Sequence, residues 1–503
     1  MKRMTWKRRS LALALSAALL LCVTGCSSTS QTQTQSTVST TSGGTLSSLL
    51  AEIENGGKDK SVTVMIYGQT HEMEIYDSML EDFEDENPDV GTVEIQQSQQ
   101  TDYSTQVTSA LASGTMADVF YIEPANVARY AEQGQILALD DLLDEDQMAS
   151  IQDIWPDAVS AFRYDSATEE FGTGSLYALP HDYSAFMLAY NKNLFDAKGV
   201  AYPDDDNPMT WDEFRNICAQ LVTEDPSNPT WGCAIPFEFF FPQILYSNGG
   251  HFLSDDLKTV EFVYGDGSYQ QPFLDSLNFL KGLVQDGLAP TPADDAALAV
   301  YQRWVSGQIG FYPCGTWDVA NFNDPELVAF DDWGLTYYPV GPSGTYTAAR
   351  AGTVGYAVYS GSDNVDGAVK FIEYFATNLE GQQQLAEGGI QLPNLMSYAT
   401  GEFASELESG VIQYADNYQV VFNYMGGESS GTAPNGYGYR NVMPEYFYTP
   451  TTLWWNGSNG FLTQATAFME GSISAEDYMS SMQTACQEEL DTAWEEFDLA
   501  GSN

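Results

Sequence analysis

Three strand–helix units follow one another from Ser61, and that order leaves few folds open. SVTVMIY (61–67) is a near-continuous apolar run, the pattern of a strand buried on both faces. Tyr76, Met79, Leu80 and Phe83 then recur at helical spacing until Asn87-Pro88 stops them. TVEIQ (92–96) predicts a second strand, and Tyr103, Val107 and Leu111 a helix ended by Gly114. DVFYI (118–122) predicts a third strand. Pro124 suits the first turn of the next helix and Gly134 its C-terminal cap. Strand–helix units repeated in this way wind onto a parallel, doubly wound sheet.

A second series begins near LYALPHDYSAFMLAYNKNLF (176–195). Thr210 and Glu213 predict a capping box that opens the helix WDEFRNICAQL. WGCAIPF (231–237) reads as a strand, and Phe273, Leu277, Leu280 and Val284 trace a long helix. VYQRWVSGQ (300–308) predicts another helix, followed by the strand IGFY and the turn Pro313-Cys314-Gly315. WGLTYYPV (333–340) and TVGYAVYS (353–360) read as strands, AVKFIEYFA (368–376) and the stretch around Gln382 to Ala386 as helices. Aromatic clusters follow, with a last helix near Glu476 to Phe497 and no internal repeat. A body of about 440 residues is too long for one ordinary core and predicts two or three domains.

Ahead of this body stand five cations (Lys2, Arg3, Lys7, Arg8, Arg9), an apolar run from Leu11 to Val23, and Thr24-Gly25-Cys26. A charged start, a short apolar middle and a small-residue cut make a secretory signal. The apolar run is about half the ~20 residues of a membrane-spanning helix. V-T-G-C resembles the lipobox of bacterial lipoproteins, which implies cleavage after residue 25 and lipidation of Cys26. Two or more acyl chains anchor a protein stably, whereas one holds it marginally. From Ser27 to Ser48 the chain is mostly Ser, Thr, Gln and Gly, with little to bury, and is expected to be a disordered tether. Roughly 34 residues, from Ser27 to Lys60, have an r.m.s. reach of about 30 Å.

Removal of residues 1–25 leaves 13 cations against 70 acids, a net charge of −57. So acidic a surface repels nucleic acid and anionic lipid and disfavours a strongly anionic ligand. Past the leader and Cys26 the cysteines are Cys218, Cys233, Cys314 and Cys486, with no metal-binding spacing. Cys218 and Cys233 are compatible either with a disulfide, since export permits one, or with buried thiols. His71, His181 and His251 are scattered, which disfavours a zinc enzyme; no metal and no cofactor are expected.

The order of elements resembles the family 1 extracellular solute-binding proteins of ABC importers, the sugar-binding type. The segments that carry the resemblance are ALASGTMADVFYIEP, LYALPHDYSAFMLAYNKNLF, MTWDEF, GQIGFYPCGTWDVA, and DWGLTYYPVGP with GTVGYAVYSGS and AVKFIEYFAT. Together they cover roughly Ser61 to Tyr398. The resemblance implies a two-lobe α/β fold of the type II periplasmic-binding-protein kind, each lobe a doubly wound, mainly parallel sheet. Crossings are expected near Leu179–Ser184 and Gly352–Tyr359. The expected division is a signal peptide (1–25), a lipidated tether (26–60), an N-lobe (61–180 with 360–405) and a C-lobe (183–355 with 406–503). The implied function is extracytoplasmic capture of a carbohydrate, an oligosaccharide, and its delivery to ABC permease subunits. The protein would be a monomer, attached to the membrane through its lipid alone.

Ligands of open α/β sheets sit beyond the carboxyl ends of strands. A sugar needs aromatic platforms and planar hydrogen-bonding side chains. Trp317, in Gly315-Thr316-Trp317, stands where the family stacks a Trp on its ligand, with Asp318 beside it. Tyr67 and Gln69 follow the first strand, Glu123 the third, and Asp182 and Tyr183 lie at the first crossing. Trp454 and Trp455 are candidates for the far wall, and Phe239, Phe240, Tyr439 and Arg440 carry weaker signals. For each, core packing or a solvated helix start is the competing reading. The rival functions are a surface-attached glycoside-acting enzyme, a receptor for a non-sugar solute, and a structural adhesin. No P-loop or dinucleotide fingerprint is present.

Overall fold

The computed structural model describes residues 61–500 other than 69, 224, 226, 411 and 413. The leader, the tether, Cys26 and Gln69 therefore lie outside the described residues. The strands are β1 (Val62–Ile66), β2 (Val93–Gln97), β3 (Val119–Ile122), β4 (Arg163–Asp165), β5 (Glu170–Phe171), β6 (Ser175–Leu176), β7 (Ala178–Pro180) and β8 (Ser184–Ala185). They continue as β9 (Met187–Asn191), β10 (Trp231–Cys233), β11 (Ile309–Cys314), β12 (Trp333–Thr336), β13 (Tyr346–Gly352), β14 (Gly355–Val358) and β15 (Gly438–Val442).

The first large sheet has the order β2-β1-β3-β14-β7. β1 runs parallel to β2 and β3, and helices Thr70–Glu86 and Gln100–Ser113 form between them as the apolar spacing predicts. All four residues of β3 and of β14 are buried, which explains their unbroken apolar sequences. The second large sheet has the order β10-β11-β9-β12. Its β10–β11 pair is parallel, whereas β9 is antiparallel to β11 and β12. In the first sheet β14 is likewise antiparallel to β3 and β7. The parallel order expected of the sheets thus holds for β2-β1-β3 and β10-β11. Strands arriving from the other sheet enter antiparallel, so both sheets are mixed.

Two short segments pass between the sheets. His181-Asp182-Tyr183 joins β7 to β8, and Thr353-Val354 joins β13 to β14. They lie side by side: His181 N–H donates to Val354 O at 2.7 Å, Val354 N–H to Asp182 Oδ1 at 3.0 Å, and Thr353 Oγ1 to Asp182 O at 2.6 Å. A third sheet, β15-β13-β8, continues from this junction.

Helix Trp211–Leu221 carries the expected capping box, with Thr210 N–H donating to Glu213 Oε2 at 2.8 Å and Glu213 N–H to Thr210 Oγ1 at 3.3 Å. Strand β10 stops at Cys233, short of the expected Phe237. Pro236 caps a helix over Phe237–Tyr246, so the apolar run there is helical. A Pro sets φ near its helical value and favours a start at that point. After helix Val365–Thr377 the chain stays on the first sheet's side, where Asn394 Nδ2 donates to Pro180 O and Ala376 O at 2.8 and 3.1 Å.

The late segment then returns to the second sheet's side. Leu335 N–H donates to Asp416 O at 2.9 Å, and Tyr338 N–H to Tyr424 Oη at 2.8 Å. Phe461, fully buried, is a hub there: the rings of Tyr478, Phe262, Trp455 and Phe273 lie at 5.0, 5.1, 5.4 and 5.6 Å. Full burial of one such side chain contributes about 1.5–3 kcal/mol. The last helix, Ala475–Ala500, uses Gln483 and Gln487 to accept the Val263 and Val260 N–H groups at 2.8 Å each. Its far end places Trp494 and Phe497 against Phe171 and Tyr164 of the small β5-β4-β6 sheet, at 6.1 and 6.0 Å. Cys218, Cys233, Cys314 and Cys486 are buried free thiols.

Candidate functional site

A cleft of about 560 Å³ opens where the carboxyl ends of β1, β2 and β3 meet the two crossing segments and the helix after β10. Pockets of about 300–1,000 Å³ hold small ligands. Of the residues chosen from sequence, Tyr67, Glu123, Asp182, Phe239, Trp317 and Trp455 line it. Gln69 lies outside the described residues.

Trp317 follows β11 and remains 37 % exposed, its edge set against Phe186 at 5.3 Å and 80°. Gly315 makes this possible, because a Cβ there would meet the indole at 2.3 Å. Phe186 in turn stacks on the exposed Phe239 at 5.6 Å and 14°. Opposite chemistry comes from Tyr67, held edge-on by Tyr103 and Tyr121 at 4.9 and 5.3 Å, with its hydroxyl pushed up, mainly by burial.

Trp454, Tyr183 and Asp318, expected at the cleft, are not among the residues that line it. Trp454 is fully buried, with Nε1 donating to Thr449 Oγ1 at 3.1 Å. Adjacent residues on one helical turn, Leu453–Asn456, face about 100° apart, so of the two Trp side chains Trp455 is the one that reaches the cleft. Trp455 itself is nearly all buried, stacked between Tyr446 and Phe461 at 5.4 Å each, and shows the cleft little more than an edge. Tyr183 points away from the cleft beside Trp155, its Oη donating to Asp157 Oδ2 at 3.4 Å. Asp318 sits behind the turn, where Oδ2 accepts the Gly315 N–H at 3.1 Å; burial pushes its carboxyl up to about 6. Phe240 is core, while Tyr439 is buried and Arg440 pairs with Glu428 at 2.6 Å.

The sequence did not single out Arg350, which lines the cleft. Its guanidinium lies over Phe186, Tyr446 and Phe447 at 4.8, 5.3 and 5.7 Å. Nε and Nη1 are buried and without a hydrogen-bond partner among the described residues. Gln391 is 3 % exposed; its Nε2 donates to His181 O at 3.1 Å, and its Oε1 is unpartnered. Unpartnered buried polar groups cost free energy unless something binds them. One signal was available: Arg350 is a lone cation in a strand that enters a predicted crossing, in a chain with 18 cations.

Glu123 is open to the cleft yet surrounded by protein, and burial pushes its carboxyl up. Arg350 opposes that shift and Glu238 adds to it. Beneath the cleft, Tyr76, Tyr121, Tyr356 and His181 share one buried polar cluster. Tyr76 Oη lies 2.7 Å from Tyr121 Oη and 3.1 Å from His181 Nδ1, and it also contacts Tyr356 Oη. Among the described residues no group of three or more His, Cys, Asp or Glu side chains could hold a metal ion.

The sequence profile of the bacterial extracellular solute-binding protein family matches residues 67–382. The maltotriose-binding protein of Pyrococcus abyssi is 25% identical over 328 residues, 63% of each chain. A putative binding protein of Brucella abortus is 23% identical over 54% of this chain. The chain spans 60–63% of the length of these curated relatives. Among solved structures, the Listeria monocytogenes ABC substrate-binding protein Lmo0181, in complex with cycloalternan, superposes with a TM-score of 0.69. It is 22% identical and covers 86% of this chain and 100% of that one. The GacH receptor of Streptomyces glaucescens, solved unliganded and with acarbose, has a TM-score of 0.64 at 21% identity, covering 86% and 99%.

The Asp318 carboxyl gives a pH test. Its folded value of about 6 exceeds the ordinary 3.8, so the folded state holds the proton more tightly. Its contribution to stability is full below the unfolded value and is lost as pH rises through the folded one. Asp318→Asn keeps an acceptor for the Gly315 N–H. The variant is expected to unfold at higher urea than the parent at about pH 8, with no gain at about pH 4. The same difference at both pH values contradicts this.

Proposed function

The chain belongs to the bacterial extracellular solute-binding proteins, and on that premise we propose that it captures a carbohydrate for an ABC importer. The ligand class is an oligosaccharide, held in the 560 Å³ cleft. The observation that carries the reading is one juxtaposition. Exposed aromatic side chains, Trp317 and Phe239, line the same cleft as Arg350 and Gln391, whose Nε, Nη1 and Oε1 have no hydrogen-bond partner among the described residues. A pyranose presents both complements, a flat C–H face for an indole and hydroxyls for planar side chains. Two similar proteins carry maltotriose and cycloalternan in their names or descriptions, which favours an oligomer of glucose-like units.

Trp317 would be the platform, with Arg350, Glu123, Tyr67 and Gln391 fixing hydroxyls, and Gln69 a further candidate on sequence alone. Asp182 would act mainly through the crossing it braces. The lobes would comprise residues 61–180 with 360–405 and 183–355 with 406–503, closing over the sugar as hinged domains do. We assign no catalytic residue. The lipobox-like V-T-G-C supports attachment through an acylated Cys26, with residues 27–60 as tether, a monomeric body and a permease as partner.

Isothermal titration with labelled malto- and cello-oligosaccharides tests capture. Binding with the sugar recovered unchanged is expected; cleaved sugar identifies an enzyme instead. Trp317→Ala should weaken binding roughly 30- to 150-fold, equivalent to losing about 2–3 kcal/mol of stacking and burial. Its urea midpoint should barely move, because the indole is 37 % exposed. Unchanged affinity in the folded variant contradicts the platform. For the anchor, Cys26→Ser expressed in a bacterial host should shift the protein from the membrane to the soluble fraction. Equal membrane retention contradicts lipidation.

A further inference from the structure

A second cavity, of about 70 Å³, adjoins the cleft. Tyr67, Gln100, Tyr121, Glu123 and Val354 line both, so the smaller space is a side chamber of the larger. It lies between the start of helix Gln100–Ser113, the end of β3 and helix Pro124–Glu132. Tyr67 is held edge-on by Tyr103 and Tyr121 at 4.9 and 5.3 Å, so the chamber exists before a ligand arrives. One water needs about 10–15 Å³ of such space, so the chamber admits a substituent of a few non-hydrogen atoms and no pyranose ring. Its lining is divided. Tyr103, Val107 and Ile122 are buried and form an apolar wall. The Tyr103 hydroxyl is engaged elsewhere, donating to Met65 O at 2.8 Å. Asn126 and Glu123 supply the polar part. Asn126 Oδ1 accepts from Arg129 Nη2 at 3.1 Å, which leaves Nδ2 as its donor. Glu123 precedes helix Pro124–Glu132 without capping it, so its carboxyl is an acceptor where chamber and cleft share a wall.

Resting on the reading that a sugar occupies the cleft, we propose that the chamber is a subsite for the acetamido group of an N-acetylhexosamine unit. An acetamido group carries one N–H donor, one carbonyl acceptor and a methyl. The Glu123 carboxyl complements the N–H, Asn126 Nδ2 the carbonyl oxygen, and the wall of Tyr103, Val107 and Ile122 the methyl. Smaller substituents use only part of this lining. A hydroxyl leaves the apolar wall unfilled, and a methyl alone leaves Asn126 and Glu123 without partners once water is displaced. Because Tyr67 is already fixed between two rings, little ordering is lost when the chamber fills.

The test is calorimetry on matched trisaccharides, α-1,4- and β-1,4-linked, each built from glucose, glucosamine or N-acetylglucosamine. In whichever linkage binds, the acetylated form should bind about tenfold tighter than the glucose form, as one buried methyl and one net hydrogen bond would give. The glucosamine form, which lacks the carbonyl and the methyl, should not share the gain. Ser104 and Asn126 line the chamber and not the cleft, and Ser104 is exposed. Ser104→Phe, which fills the chamber, and Asn126→Ala, which removes the donor, should each bring the acetylated-to-glucose ratio towards one, with folding checked by circular dichroism. A ratio of one or less in the parent protein overturns the proposal. So does an equal gain for glucosamine, or a ratio unchanged in both variants. Glucose forms that bind with no preference for the acetylated ones sink this proposal alone; failure of every trisaccharide to bind sinks it together with sugar capture.

Discussion

Asp182 holds together the place where the chain passes between its two large sheets. Its carboxylate accepts the Val354 N–H at 3.0 Å, and its carbonyl accepts the Thr353 hydroxyl at 2.6 Å. One residue of the first crossing thus grips both residues of the second. Burial pushes its carboxyl up, while His181 and the Val354 bond pull it down. Removal of the acceptor would leave a buried N–H unpaired, at a cost of about 1–3 kcal/mol. Few other contacts on this scale reach so much of the molecule, because the cleft, both sheets and the third sheet all meet here.

Around that junction the structure divides labour. Below it, Tyr76, Tyr121, Tyr356 and His181 form a polar cluster that joins helix Thr70–Glu86, β3, the first crossing and β14. A fully partnered buried network of this kind specifies one arrangement of its elements. Above it, two residues that line the cleft keep buried atoms without a hydrogen-bond partner among the described residues: Arg350 Nε and Nη1, and Gln391 Oε1. The contrast between a satisfied support and an unsatisfied lining is the pattern of a site shaped for a ligand. Gly315 belongs to the same logic, since the absence of its side chain lets the Trp317 indole fold over the turn and stay exposed.

Much of the fold was legible because periodicity reports burial. The helices at 70–86, 100–113 and 211–221 and the strands β1, β3 and β14 follow from apolar spacing and caps. The ends of predicted strands placed Tyr67 and Glu123 at the cleft, and the turn Pro313-Cys314-Gly315 placed Trp317 there. Direction within a turn was not legible. Trp454 and Trp455 are neighbours with the same chemistry, and only the packing of Phe461 and Tyr446 separates core from lining. Tyr183 was misplaced for a related reason: it lies in a three-residue crossing, too short for any periodicity to tell which side chain meets the ligand. Arg350 was missed because its position depends on β13 pairing with β8, 166 and 168 residues away in sequence, and with β15, 92 residues away.

The central claim is a hinge of two crossings that closes two lobes over a sugar. Small-angle X-ray scattering on the protein, with and without a saturating oligosaccharide identified by titration, tests it most directly. The account predicts a smaller radius of gyration in the bound state. A radius unchanged at saturation would contradict it.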